Sequence, residues 1–178
     1  DTLSVISDLR RERVHVLVSM ATFALGIVFG LAAVYDDPDN LDVFVPEMFA
    51  PAVEDPAGRV AESEAGKESI EDVDTAAAFG AQLYTHNIQV TFVAFSMAAL
   101  TLVGGWFVLF FNGAILGAVM AAYLQDDVGV FFFAWVGPHG SLELPAIAFS
   151  GAAGFKMGTA LFFPGDRTRG AAVRAARP

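Results

Sequence analysis

Three long apolar runs, separated by polar and charged blocks, organise the chain. Residues 14–34 form a 21-residue run with one ionisable side chain, His15 at its edge. Residues 88–111 form 24 without charge, and residues 142–163 form 22 with Glu143 near the start and Lys156 inside. As helices they reach roughly 31, 36 and 33 Å, against a hydrocarbon core of about 30 Å. A fourth apolar stretch, 113–124, spans only roughly 18 Å as a helix. It is interrupted by Gln125-Asp126-Asp127 and followed by the aromatic run 128–136. The pattern predicts an all-α, polytopic α-helical integral membrane bundle. About four transmembrane helices are expected, plus a short re-entrant or interfacial helix at 131–136. Broken backbone of that kind is tolerated where protein or water covers it. Asn112-Gly113 is expected as a tight inner turn, with Asp126-Asp127 at the outer surface or in a polar cleft.

Composition agrees. Of 178 residues, 55% are hydrophobic and only 17% charged, yet the net charge is −10. A soluble domain carries about a quarter charged residues. Residues 36–74 hold thirteen acids against two bases, Arg59 and Lys67, a net −11 that accounts for the whole acidity. Arg10, Arg11 and Arg13 lie near the start, and Arg167, Arg169, Arg174 and Arg177 at the end. Cytoplasmic loops collect Lys and Arg, so both ends belong inside and the acidic loop outside. The expected plan is a cytoplasmic segment (1–13), a first transmembrane helix (14–34) and an acidic extracytoplasmic loop (35–87). A membrane bundle (88–165) and a basic cytoplasmic tail (166–178) follow. The localisation is a cell membrane, crossed several times. In the loop, Pro38, Pro46, Pro51 and Pro56 argue against one long helix. Residues 43–49 are expected as a short surface helix, 57–67 as the most loop-like part, and 69–84 as a helix leading into the membrane. Ten bases against twenty acids exclude strong nucleic-acid binding. With no cysteine, disulfides and thiolate chemistry are excluded. The chain opens on Asp1 without a short apolar h-region, so it is expected to be part of a longer protein.

Small residues recur at helix-packing spacing: Gly26 and Gly30, Gly113 and Gly117, and Ser150, Gly154 and Gly158. Such faces let backbones approach closely, within one bundle or between two copies as a homodimer. The most unusual stretch is Pro138-His139-Gly140-Ser141-Leu142-Glu143-Leu144-Pro145. Ionisable residues inside a membrane mark candidate functional sites. In one reading Ser141 caps a helix and Glu143 sits in its first turn, where the dipole favours an anion. In the other, His139 and Glu143 jointly bind a metal, a proton or a polar partner group. Two ligands fall short of a zinc site, and neither a metal nor a cofactor is expected. Asn87 and Asn112 bracket the second apolar run and suit helix ends. Lys156 lies 13 residues from Glu143, roughly 20 Å along one helix, too far to pair within it. No HExxH, GxSxG, Walker A or GxGxxG occurs.

Several strings together resemble the stage II sporulation protein M family, also described as a domain of unknown function. They are Thr85-His86-Asn87-Ile88-Gln89-Val90, Leu109-Phe110-Phe111-Asn112-Gly113-Ala114-Ile115-Leu116-Gly117, the PHGSLELPAI string from Pro138, and Gly151-Ala152-Ala153-Gly154-Phe155-Lys156-Met157-Gly158 before Pro164-Gly165. The resemblance covers residues 14–165 and leaves the acidic loop unmatched. It implies a polytopic α-helical membrane protein without enzymatic activity of its own. The namesake is a membrane anchor that assembles peptidoglycan-degrading enzymes in spore formers. Relatives elsewhere accompany genes for MoxR-type AAA+ ATPases and von Willebrand-type proteins. Family members usually continue into one more membrane helix and carry a longer N-terminal region.

The expected function is a non-enzymatic scaffold or subunit of a membrane complex, linked to envelope or peptidoglycan remodelling. Its partners would be other membrane or envelope proteins, an AAA+ ATPase system and membrane lipid, not nucleic acid. The alternative is a transporter or channel component using a polar site around His139 and Glu143. A membrane enzyme using those two residues lacks a third polar group nearby in sequence.

Overall fold

A computed structural model describes the backbone of residues 2–65 and 70–176, with side chains for 13–65, 77–138 and 140–176. Every element among the described residues is helical. Four long helices carry the fold: α1 (Thr2–Asp36), α5 (Ile70–Thr101), α6 (Val103–Gln125) and α7 (Gly129–Phe162). Between α1 and α5 lie α2 (Asn40–Phe44), a 3-10 turn (Glu47–Phe49), α3 (Ala50–Val53) and α4 (Pro56–Glu64), and α8 (Arg169–Ala175) ends the chain. Segments Arg13–Asp36 and Val103–Gln125 are each long and apolar enough to cross a membrane.

Glycine spacing sets how α1 meets α6. A Cβ on Gly26 would lie 2.0 Å from the Phe110 carbonyl oxygen, and one on Gly30 2.0 Å from that of Ala114. Reciprocally, Gly113 faces Phe23 O at 2.2 Å and Gly117 faces Ile27 O at 2.0 Å. The contacts ascend together on both helices, so α1 and α6 run parallel, each GxxxG seated on the other. A second parallel pair forms where Ser150 Oγ donates to Thr91 O at 2.7 Å. Along the same face, Gly154 meets Phe95 O and Gly158 meets Ala98 O. Ser19 Oγ, fully buried, donates to Ala148 O at 2.6 Å and ties the two pairs together. The small-residue faces are thus filled from within the chain.

The helix boundaries correct the sequence reading at four places. The turn between the second and third long helices falls at Leu102, not at Asn112-Gly113. Leu102 has φ 54°. Thr101 Oγ1 accepts from Gly104 N at 2.9 Å, and Gly105 lets Ala98 pack against the new helix. Gly113 serves close approach to α1, and Asn112 donates from Nδ2 to Val108 O at 2.8 Å inside α6. Residues 131–136 are the first part of continuous α7, not a separate short helix. Ser141 does not cap a helix but donates to Pro138 O at 3.1 Å inside α7. Pro138 and Pro145 each cost one helical hydrogen bond without ending α7.

The acidic segment is the fourth correction. Residues 43–49 do not form one surface helix: α2 ends at Phe44, Pro46 breaks the chain, and Val45 and Phe49 are buried. Residues 57–64 are helical in α4, where Pro56 starts the turn and Asp55 caps it by accepting from Gly58 N at 2.8 Å. Gly66, Lys67 and Ser69 lie outside the described residues. These short helices close over one end of the bundle. Val45, Phe49, Ala52 and Val53 share a core with Val34, Tyr123 and Phe132 from the long helices. Because α7 runs antiparallel to α6, its C-terminal end, which Arg167, Arg169 and Arg174 follow in the chain, and the arginine-bearing start of α1 lie at the opposite end of the bundle.

Candidate functional site

The cap is pinned by one base. Arg59 Nη1 donates to Ala52 O at 3.0 Å and to Tyr123 Oη at 2.8 Å, while Tyr123 Oη donates to the same carbonyl at 2.8 Å. The guanidinium carbon also sits 5.5 Å from the centre of the Trp135 ring. The fully buried Tyr123 is thereby satisfied by the cap alone. Two further links, Ala57 N to Asp126 Oδ2 at 3.4 Å and Asn40 Nδ2 to Ala33 O at 3.0 Å, join cap and helix ends. Asp126-Asp127 form the exposed turn between α6 and α7. With Arg59 turned inward, the cap's outer face is acidic. Asp36, Asp37, Asp39, Asp42, Glu47, Glu54, Asp55, Glu62 and Glu64 are all exposed.

Under the cap, where α5, α6 and α7 separate, lies a cavity of about 90 Å³. Its walls are mostly apolar and aromatic, with Phe79, Phe132 and Trp135 below the cap residues Phe49 and Ala52. Three polar side chains reach it: Asn87, Asn112 and Glu143. Asn87 Nδ2 donates to Glu143 Oε2 across the α5–α7 gap. Asn112 Nδ2 is held by Val108 O. Gly140 is buried in the cavity wall, where a Cβ would press on Val136 at 2.9 Å. Asn112 is the tenth of 23 residues in α6, and Glu143 lies near the middle of α7, so the site sits deep in the bundle.

Four of the six polar-motif residues therefore converge: Asn87, Asn112, Gly140 and Glu143. Lys156 does not join them, since 13 helical residues place it roughly 20 Å further along α7. It lies about 9 Å from that helix's end. The His139 side chain lies outside the described residues. Its backbone precedes Glu143 by one helical turn. The asparagines do not cap helix ends: Asn87 lies inside α5 and Asn112 inside α6. Among the described residues no group of three or more His, Cys, Asp or Glu side chains is placed to hold a metal ion.

The sequence reading missed Arg59, Tyr123 and Trp135 as a unit. A signal existed in Arg59, one of two bases among thirteen acids. Nothing in the spacing indicates that a base at 59 meets a tyrosine at 123.

The model of the family described as "Stage II sporulation protein M" matches residues 17–178. Neither a curated protein nor a solved structure matches the chain. The match covers nearly the whole chain, including the cap and both cavity-forming helix pairs. The chain belongs to the stage II sporulation protein M family.

Proposed function

We propose that the protein is a four-span, non-enzymatic membrane subunit whose acidic cap presents a docking surface on the extracytoplasmic side. The observation that carries this reading is the folded cap. Its basic residue is locked onto Tyr123 and Trp135, while nine acids face outward. A merely solvated loop has no need of such anchoring. Large apolar side chains exposed on all four long helices, such as Leu17, Phe92, Phe107 and Phe149, support four crossings. The basic ends opposite the acidic cap support cytoplasmic termini. Partners are membrane or envelope proteins with basic surfaces, in a role linked to envelope or peptidoglycan remodelling. An AAA+ ATPase system is proposed on the cytoplasmic side. Contact with a second copy would use the lipid-facing surface, since the glycine faces are filled within the chain.

The test is cross-linking and co-purification from native membranes, comparing wild type with a variant whose nine exposed cap acids are changed to Asn or Gln. A protein captured by wild type and lost by the variant, with the fold intact, supports the reading. Equal capture by both, or capture of nothing, overturns it.

A second reading, a transporter or channel component, is favoured by one observation: Glu143 borders a cavity rather than dry packing. Vesicle flux that Glu143→Gln abolishes would establish it over the first.

A further inference from the structure

We propose that the cavity between α5, α6 and α7 is a binding site for one small monovalent cation, an alkali ion or ammonium, neutralised by Glu143. The argument begins with donors and acceptors. An asparagine amide offers two N–H donors on Nδ2 and one carbonyl acceptor. At Asn87 the Nδ2 group is engaged by the Glu143 carboxylate, and at Asn112 by the Val108 carbonyl. The Asn112 assignment is fixed by a carbonyl, which only accepts, and the Asn87 assignment by Glu143 as the carboxylate. Each amide keeps its carbonyl oxygen and one further N–H to offer, and Glu143 has its second carboxylate oxygen. The one formal charge on the polar side of the cavity is the Glu143 carboxylate, and the remaining wall is apolar and aromatic.

Such a lining selects its guest by charge. An anion is repelled by the Glu143 carboxylate. A cation meets one formal negative charge and two carbonyl dipoles in surroundings of low dielectric, where an uncompensated carboxylate is costly. The described hydrogen-bond partner of Glu143 is the neutral Asn87 amide. Lys156, on the same helix, is roughly 20 Å away. One carboxylate calls for one positive charge, and Glu143 is the one acid among the described residues that line the cavity, which disfavours a divalent ion. The cavity of about 90 Å³ has room for a small ion together with water. A Cβ on Gly140 would press on Val136 and Leu144, both cavity-lining side chains.

The inference concerns occupancy, and it stands apart from the scaffold reading: a held cation serves a scaffold and a transporter alike. The experiment is thermal unfolding of the purified full chain in lipid nanodiscs at constant ionic strength. Choline chloride is replaced stepwise by NaCl, KCl or NH4Cl. The wild-type Tm is expected to rise saturably with at least one small cation, because a ligand bound only by the folded state stabilises it. Glu143→Gln is expected to fold, to lose that response, and to show in choline a Tm at or above wild type. Asn112→Leu is expected to weaken the response and shift its midpoint to higher concentration. A wild-type Tm indifferent to cation identity overturns the proposal, as does a response retained in Glu143→Gln. Either failure leaves partner capture by the cap untouched, so the two readings fail separately.

Discussion

Helix α6 has two faces that solve opposite problems. On one, Gly113 and Gly117 bring its backbone against α1 so closely that no Cβ fits between them. On the other, Asn112, Ile115, Leu116 and Val119 border a cavity. In a bilayer, lipid is as apolar as any side chain, so helices associate through close packing and hydrogen bonds. The α1–α6 face uses the first means, and the α5–α7 face adds the second, through Asn87–Glu143 and Ser150–Thr91. The contrast shows how one helix can be fixed rigidly on one side and still leave room on the other. The cap sits over both, so its anchoring at Arg59 reports on the whole upper end.

The most severe way to break this contrast is Gly117→Leu. Overpacking against the Ile27 carbonyl is expected to cost more than about 3 kcal/mol, read as loss of monodisperse protein on extraction. Next, Arg59→Met removes two hydrogen bonds from a charged donor and is expected to cost about 2–3 kcal/mol. Limited proteolysis should then cut residues 36–65 early while the long helices stay protected. Uniform resistance would mean that the cap is held elsewhere. Asn87→Leu leaves Glu143 without its donor and is expected to cost about 2 kcal/mol in thermal unfolding, more than the isosteric Glu143→Gln. Least of all, Gly80→Ala meets nothing within 4 Å and is expected to be neutral or stabilising by about 0.5–1 kcal/mol. Equal damage from Gly80→Ala and Gly117→Leu would dissolve the distinction.

The four long helices were legible because apolar length and charge blocks are one-dimensional properties. Their joints were not. The run 88–111 contains no charge to mark the turn at Leu102. Its signals, Thr101 as a cap and Gly104-Gly105 after it, resemble ordinary transmembrane packing residues. Gly113 after Asn112 reads as a turn dipeptide, yet its glycine answers to Phe23 of α1, far earlier in the chain. The convergence of Asn87, Asn112, Gly140 and Glu143 was legible only as residue types, since their meeting depends on where the hairpin α5–α6 turns. The cap was hidden further, because four prolines and thirteen acids describe a solvated loop equally well. Burial of Val45, Phe49 and Val53 becomes visible only once the ends of α1, α6 and α7 are assembled.

The central claim, a four-span bundle with the acidic cap on one side and both basic ends on the other, is open to a direct measurement because the chain contains no cysteine. Single cysteines at Ser63 in the cap and at Ala175 in the tail can be challenged in intact cells with a membrane-impermeant maleimide. The account predicts that Ser63→Cys is labelled from outside, and Ala175→Cys only after the membrane is permeabilised. Labelling of both from the same side would contradict it.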